Sequence, residues 1–167
     1  MTAAFDLIKR TKQLKGDSYE FHLRVPTWRK FAPGIALNWQ RVKFDSAGKA
    51  NVPEERGLYI FTLEVENLGL PSHGYIMYVG ISGNTSNANL RKRYGQYLLE
   101  AQKGTGRPLV AFMLNEWEGE LFFNFVPIPD KTVDLAVIEK SLINTVIPPI
   151  NASDFDGEIG PAKKASF

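Results

Sequence analysis

Residues 57–80 read GLYIFTLEVENLGLPSHGYIMYVG, and the way this stretch folds decides the architecture. Its flanks, GLYIFTLEV and YIMYVG, are rich in β-branched and aromatic side chains that suit a pleated, half-buried surface. Between them ENLGLPSHG gathers the asparagine, glycine, proline and serine that bend a chain. The stretch therefore predicts a hairpin with a long loop. Downstream, GNTSNAN supplies N-cap candidates for a helix over about residues 88–103, which GTG then stops. ELFFNFVPI reads as a strand, and PLVAFMLNE as a strand or a short helix. A last helix covers about residues 131–146 and ends at the prolines of IPPIN. Helices and strands in this order predict the α/β class, a small domain with a central antiparallel sheet flanked by helices.

Upstream the pattern loosens. Residues 5–15 suggest a short helix, FHLRV a short strand, PTWRKFAPG turns, and residues 39–44 a strand before the polar loop DSAGK. The chain divides into a basic, partly structured extension (1–52), the compact domain (53–151) and a loop and tail (152–167). Residues 1–50 carry ten Lys and Arg against four Asp and Glu; the rest carries ten against fourteen. A basic arm can track a phosphate backbone because neutralising phosphates releases counterions. Arg29, Lys30, Arg41 and Lys43 in the arm, with Arg91 and Lys92 in the domain, are the expected nucleic-acid contacts; the alternative is that such residues only keep the surface soluble.

Composition removes other classes. At 167 residues with 44% hydrophobic and 23% charged content, a packed core is expected and whole-chain disorder is not. No cysteine is present, which excludes disulfides and thiolate-bound zinc or iron–sulfur clusters and fits a reducing, cytoplasmic setting. No apolar run approaches a bilayer-spanning length. His22 and His73 are too few and too scattered for a histidine-based metal site.

Helical angles single out two charged residues. On the 88–103 helix Leu90, Tyr94, Tyr97, Leu98 and Ala101 share one face, and Arg93 sits at its edge, one turn from Tyr97. Its stem can pack while its fork meets an anion. Lys92 points outward and Arg91 lies on the opposite edge. On the last helix Glu139 falls inside the arc of Leu135, Ile138, Leu142, Ile143 and Val146, where a carboxylate is costly unless paired. It is either half of an ion pair with an arginine or a hard ligand for a divalent metal.

GLY at 57–59, YVG at 78–80, NLRKRYGQYL at 89–98, the glutamate of IEKSLI and the asparagine of PPIN together resemble the GIY-YIG nuclease family, over about residues 55–151. That family includes the catalytic domain of excinuclease incision subunits, phage homing endonucleases and some restriction enzymes. The resemblance implies a divalent-metal-dependent endonuclease acting on DNA, with RNA as a further possible substrate and a homodimer where both strands are cut. It implies that Tyr59 activates or orients the attacking water, that Tyr78 lines the same pocket, and that Gly57 and Gly80 keep close approaches open. Arg93 matches the arginine that contacts the scissile phosphate, and Tyr97 the aromatic position one turn later. Glu139 matches the carboxylate that holds Mg²⁺ or Mn²⁺, and Asn151 the asparagine closing the pattern. Ile81 stands where several relatives carry a lysine. Two other readings keep the fold: a nucleic-acid-binding module that does not cut, and a protein-interaction domain.

Overall fold

The structure, a computed structural model, describes residues 20–64, 71, 73–104, 106–152 and 155–156. In chain order its elements are helix α1 (Val25–Lys30), strand β1 (Gln40–Lys43), a 3-10 turn (Gly48–Asn51), β2 (Gly57–Glu64), β3 (Gly74–Ser82), α2 (Leu90–Lys103), α3 (Pro108–Glu116), β4 (Leu121–Pro127) and α4 (Leu135–Val146). The strands form one antiparallel sheet in the order β1-β4-β2-β3. The α/β expectation holds, and so does the hairpin of β2 with β3.

Period-two alternation along β2 sorts its side chains into two cores. Tyr59, Phe61 and Leu63 face a layer built from α2 and α3, with Tyr94, Tyr97, Val110 and Met113. Leu58 and Ile60 face α4, against Leu135, Ile138, Leu142 and Ile143. The β2–β3 register shifts after Phe61, which opposes Tyr78, while Thr62 opposes Ile76. Met77 is thus the extra residue of a bulge, which re-aims the strand so that Met77 and Tyr78 both join the α2–α3 core.

The helices begin and end by local chemistry. Asn89 caps α2 by accepting from the Lys92 amide at 2.8 Å, and Gly104 closes it at φ 59°. Asp134 caps α4 by accepting from the Ala136 amide at 3.0 Å. The expected start near residue 131 is therefore too early: Asp130 turns the chain first, accepting from the Thr132 amide at 2.9 Å. PLVAFMLNE is a helix, because Pro108 pre-sets its first turn and Val110, Met113 and Leu114 bury on one stripe. FHLRV forms no strand. The Arg24 amide donates to the Thr145 carbonyl at 2.8 Å, and Pro26 in the next turn starts α1. The helix expected over residues 5–15 lies outside the described residues.

The extension is less separate than its charge suggested. β1 pairs along β4, and Phe44 and Val52 lie in the α2–α3 core, so sheet and core continue across the boundary drawn at Pro53. Tyr94 fastens this segment down: its buried hydroxyl accepts from the Asp45 amide at 3.0 Å and reaches the carbonyls of Lys43 and Asp45 at 3.0 and 2.8 Å. Among the described residues no helix is long and apolar enough to cross a membrane.

Candidate active site

Three tyrosines from three elements meet on the α2–α3 side of the sheet. Tyr59 of β2 stacks on Phe123 with centroids 5.2 Å apart, and its hydroxyl lies 2.8 Å from that of Tyr97 on α2. Tyr78 enters from β3 with its ring centroid 6.2 Å from that of Tyr59. Gly80 opposes Tyr59 across the hairpin, and a Cβ there would stand 2.4 Å from the Tyr59 hydroxyl oxygen. The absent side chain is what lets that hydroxyl occupy its place. A Cβ on Gly57 would meet the Val126 carbonyl oxygen at 2.1 Å, so Gly57 serves close strand pairing.

Two arginines border the cluster. Arg93, at the core edge of α2 as its helical angle predicts, donates through Nη1 to Gln96 Oε1 at 3.0 Å, while its buried Nε has no hydrogen-bond partner among the described residues. Its charge acts on both Tyr59 and Tyr97. Arg107, which pattern reasoning missed, precedes α3 and donates to Tyr78 Oη at 2.8 Å and Tyr97 Oη at 3.1 Å. Neither arginine has a carboxylate within ion-pair distance among the described residues. The ion-pair alternative for Glu139 is therefore not met by Arg93.

The phenols of Tyr59, Tyr97 and Tyr94 are held neutral. Burial pushes the Tyr59 hydroxyl well above its ordinary value of 10.0, the oxygens of Tyr97 and Tyr78 push it further, and Arg93 only partly offsets them. Tyr97 is raised by burial and by Tyr78, against the pull of Tyr59, Arg107 and Arg93. Burial raises Tyr94 to about 12. Burial works against the Arg107 charge, but the tyrosine oxygens outweigh it and hold the guanidinium protonated. A phenol whose folded value exceeds its unfolded one stabilises the fold fully below about pH 10, and that contribution is lost as pH rises toward the folded value. Cooperative unfolding is therefore expected between about pH 10 and pH 12, with near-ultraviolet tyrosinate absorbance and loss of circular dichroism rising together. Full ionisation of the tyrosines in a still-folded chain would contradict this packing.

Glu139 is half-buried on α4, the layer opposite the tyrosines. The first turn of α4 is pinned beyond the end of β3, where the Leu135 amide donates to Asn84 Oδ1 at 3.0 Å and Asn84 Nδ2 donates to Asp134 Oδ1 at 3.1 Å. After α4 the chain returns to mid-β3: the Ile150 amide donates to the Met77 carbonyl at 3.1 Å. Asn151 then grips Val79, accepting from its amide and donating to its carbonyl, each at 2.9 Å. So α4 runs back along β3. β3 is the edge strand among the described strands, and Asn151 clamps it at Val79.

Mg²⁺ is commonly held by one or two carboxylates together with water and phosphate oxygens. Among the described residues no three or more His, Asp or Glu side chains cluster as metal ligands.

The expected nucleic-acid contacts do not form one patch. Arg91 braces α2 internally, donating to the Val52 carbonyl at 2.6 Å and pairing with Glu54 at 2.7 Å. Arg41 pairs with Glu64 and lies 4.4 Å from the Phe122 ring centroid. With Lys43 it occupies β1, the sheet edge farthest from β3, while Arg29 and Lys30 sit in α1 on the α4 side. Lys92 alone adjoins Arg93. It lines, with Lys49, Leu99 and Gln102, a groove of about 510 Å³ that also includes Gln96. No family model, curated protein or solved structure matches the chain.

Proposed function

We propose that the protein is a divalent-metal-dependent endonuclease that hydrolyses DNA phosphodiester bonds. The observation that carries this reading is the cluster of three tyrosine hydroxyls, two of them bonded at 2.8 Å, bordered by two guanidiniums that no described carboxylate neutralises. A surplus of donors and positive charge suits a phosphate group.

In this reading Arg93 neutralises the charge that develops on the nonbridging oxygens during hydrolysis, worth about 10²–10³ in rate for a donor aimed at such a position. Tyr59, kept neutral by burial, positions the attacking water by hydrogen bonding and does not act as a base. Glu139 would hold Mg²⁺ or Mn²⁺, which when bound supplies Lewis-acid stabilisation of the phosphate and leaving oxygen. The groove beside Lys49 and Lys92 offers a path for the flanking strand, and RNA shares the same backbone chemistry. A cytoplasmic location belongs to the same reading.

The position of Glu139 across the sheet from Tyr59 favours a second reading, a nucleic-acid-binding module that does not cut. Supercoiled plasmid incubated with Mg²⁺ or Mn²⁺, and with chelator, separates them. Nicked circles appearing only with metal are the expected result, since one centre cuts one strand; linear product at once would indicate a homodimer. Intact plasmid with salt-sensitive duplex binding would select the binding module. Neither cutting nor binding at low salt would select a protein-interaction domain.

A further inference from the structure

We propose that Arg107 is a second phosphate-binding guanidinium of the tyrosine site, so that a phosphate oxyanion is gripped between Arg107 and Arg93 with the Tyr78 hydroxyl as a third donor. The inference deepens the nuclease reading and rests on it only for the identity of the phosphate as a DNA phosphodiester.

The argument is a count of donors and acceptors. A guanidinium carries five N–H donors, and Arg107 uses one toward Tyr78 and one toward Tyr97, leaving three. Both oxygens it meets are nearly buried, Tyr78 at 7% and Tyr97 at 1% exposure, while Arg107 as a residue is exposed. The fork is therefore held against two buried oxygens by a residue that itself reaches the surface. Because Tyr78 accepts from Arg107 and bonds to no other described residue, its own O–H proton is available to a ligand. Tyr97 and Tyr59 share one hydrogen bond, which uses the proton of one hydroxyl and leaves that of the other without an acceptor among the described residues. Arg93 adds a second cation near the same two tyrosines, with a buried Nε–H that no described group accepts. The site thus offers two cations and an unused Tyr78 hydroxyl with no described carboxylate within ion-pair distance; Glu100, packed against Gly106 beside Arg107, keeps its buried Oε2 without a hydrogen bond among the described residues. An arginine kept only to cap tyrosines leaves that excess unexplained; an anion with several acceptor oxygens resolves it.

The fixed tyrosine contacts also matter for orientation. Two bonds, one to an oxygen of a strand residue and one to an oxygen of a helix residue, define the guanidinium plane before any ligand arrives, which lowers the ordering cost of binding.

Two measurements test the proposal. In the wild-type protein, titration with inorganic phosphate is followed by heteronuclear NMR of the guanidinium N–H signals, assigned with Arg107→Lys and Arg93→Lys. Saturable shifts of both the Arg107 and Arg93 signals are expected; an Arg107 signal that stays still while phosphate binds elsewhere, or no phosphate binding at all, overturns it. In parallel, Arg107→Gln is expected to weaken phosphate binding at least about tenfold, with Arg107→Lys recovering part of the loss. Should Arg107→Gln unfold, the wild-type titration still decides. Phosphate binding through Arg107 in a protein that leaves plasmid intact would keep this inference and remove the nuclease reading. Plasmid nicking with an Arg107→Gln variant as active as wild type would do the reverse.

Discussion

Glu139→Ala is expected to abolish Mg²⁺-dependent plasmid nicking while duplex binding at low salt and the melting temperature stay close to wild type. Glu139 is half-exposed, so trimming it opens no closed cavity of the kind that makes core truncations expensive. Alanine has the higher helix propensity as well. A residue held there for function should therefore lose rate without losing stability. Glu139→Gln sharpens the test because it keeps shape and hydrogen bonding but removes the negative charge a cation needs; it should be equally inactive. If either variant nicks plasmid at the wild-type rate, Glu139 does not hold the metal. If either melts about 5–10 °C lower, the carboxylate's role is structural, a loss of about 1–3 kcal/mol at this size.

How far the sequence foretold this arrangement depends on whether the determining physics is local. The hairpin over 57–80 and the face of α2 follow from side-chain period and turn chemistry, which neighbouring residues set among themselves. That is why Arg93, Tyr97, Tyr59 and Gly80 were placed correctly relative to their elements. The pairing of β1 with β4 joins segments some eighty residues apart, and nothing in QRVK announces its partner, so the front segment read as an appendage. Arg91 shows a similar limit: its angle on α2 is legible, but its brace to Val52 and Glu54 is tertiary. The bulge at Met77 breaks the alternation that assigns faces, leaving Tyr78 recognisable by motif and not by period. Arg107 is the sharpest case. It sits between a glycine-rich turn and Pro108, where no periodicity gives a side chain a direction, and only the folded contacts with Tyr78 and Tyr97 reveal it.

Gly80→Ala should be the most damaging single-methyl change near the site, lowering the melting temperature by roughly 5–10 °C and activity by about 10²-fold. The added Cβ would stand 2.4 Å from the Tyr59 hydroxyl oxygen and 2.5 Å from its Cζ, far inside van der Waals contact. Such a clash is cheap when the neighbour is the loose end of a flexible chain. Tyr59 is the opposite: 2% exposed, stacked on Phe123, edge-on to Phe61 and tied to Tyr97. The ring cannot swing aside without breaking those contacts, and overpacking a tight core costs about 1–3 kcal/mol. Separating Tyr59 from Tyr97 forfeits a buried hydrogen bond worth about 1 kcal/mol more. A second substitution identifies the cause. Tyr59→Phe in the Gly80→Ala background removes the oxygen nearest the new methyl, so it should recover part of the lost stability while leaving activity low. Recovery of stability without activity would show that Gly80 exists to admit the Tyr59 hydroxyl, whereas a double variant no more stable than Gly80→Ala alone would place the strain in the β3 backbone instead.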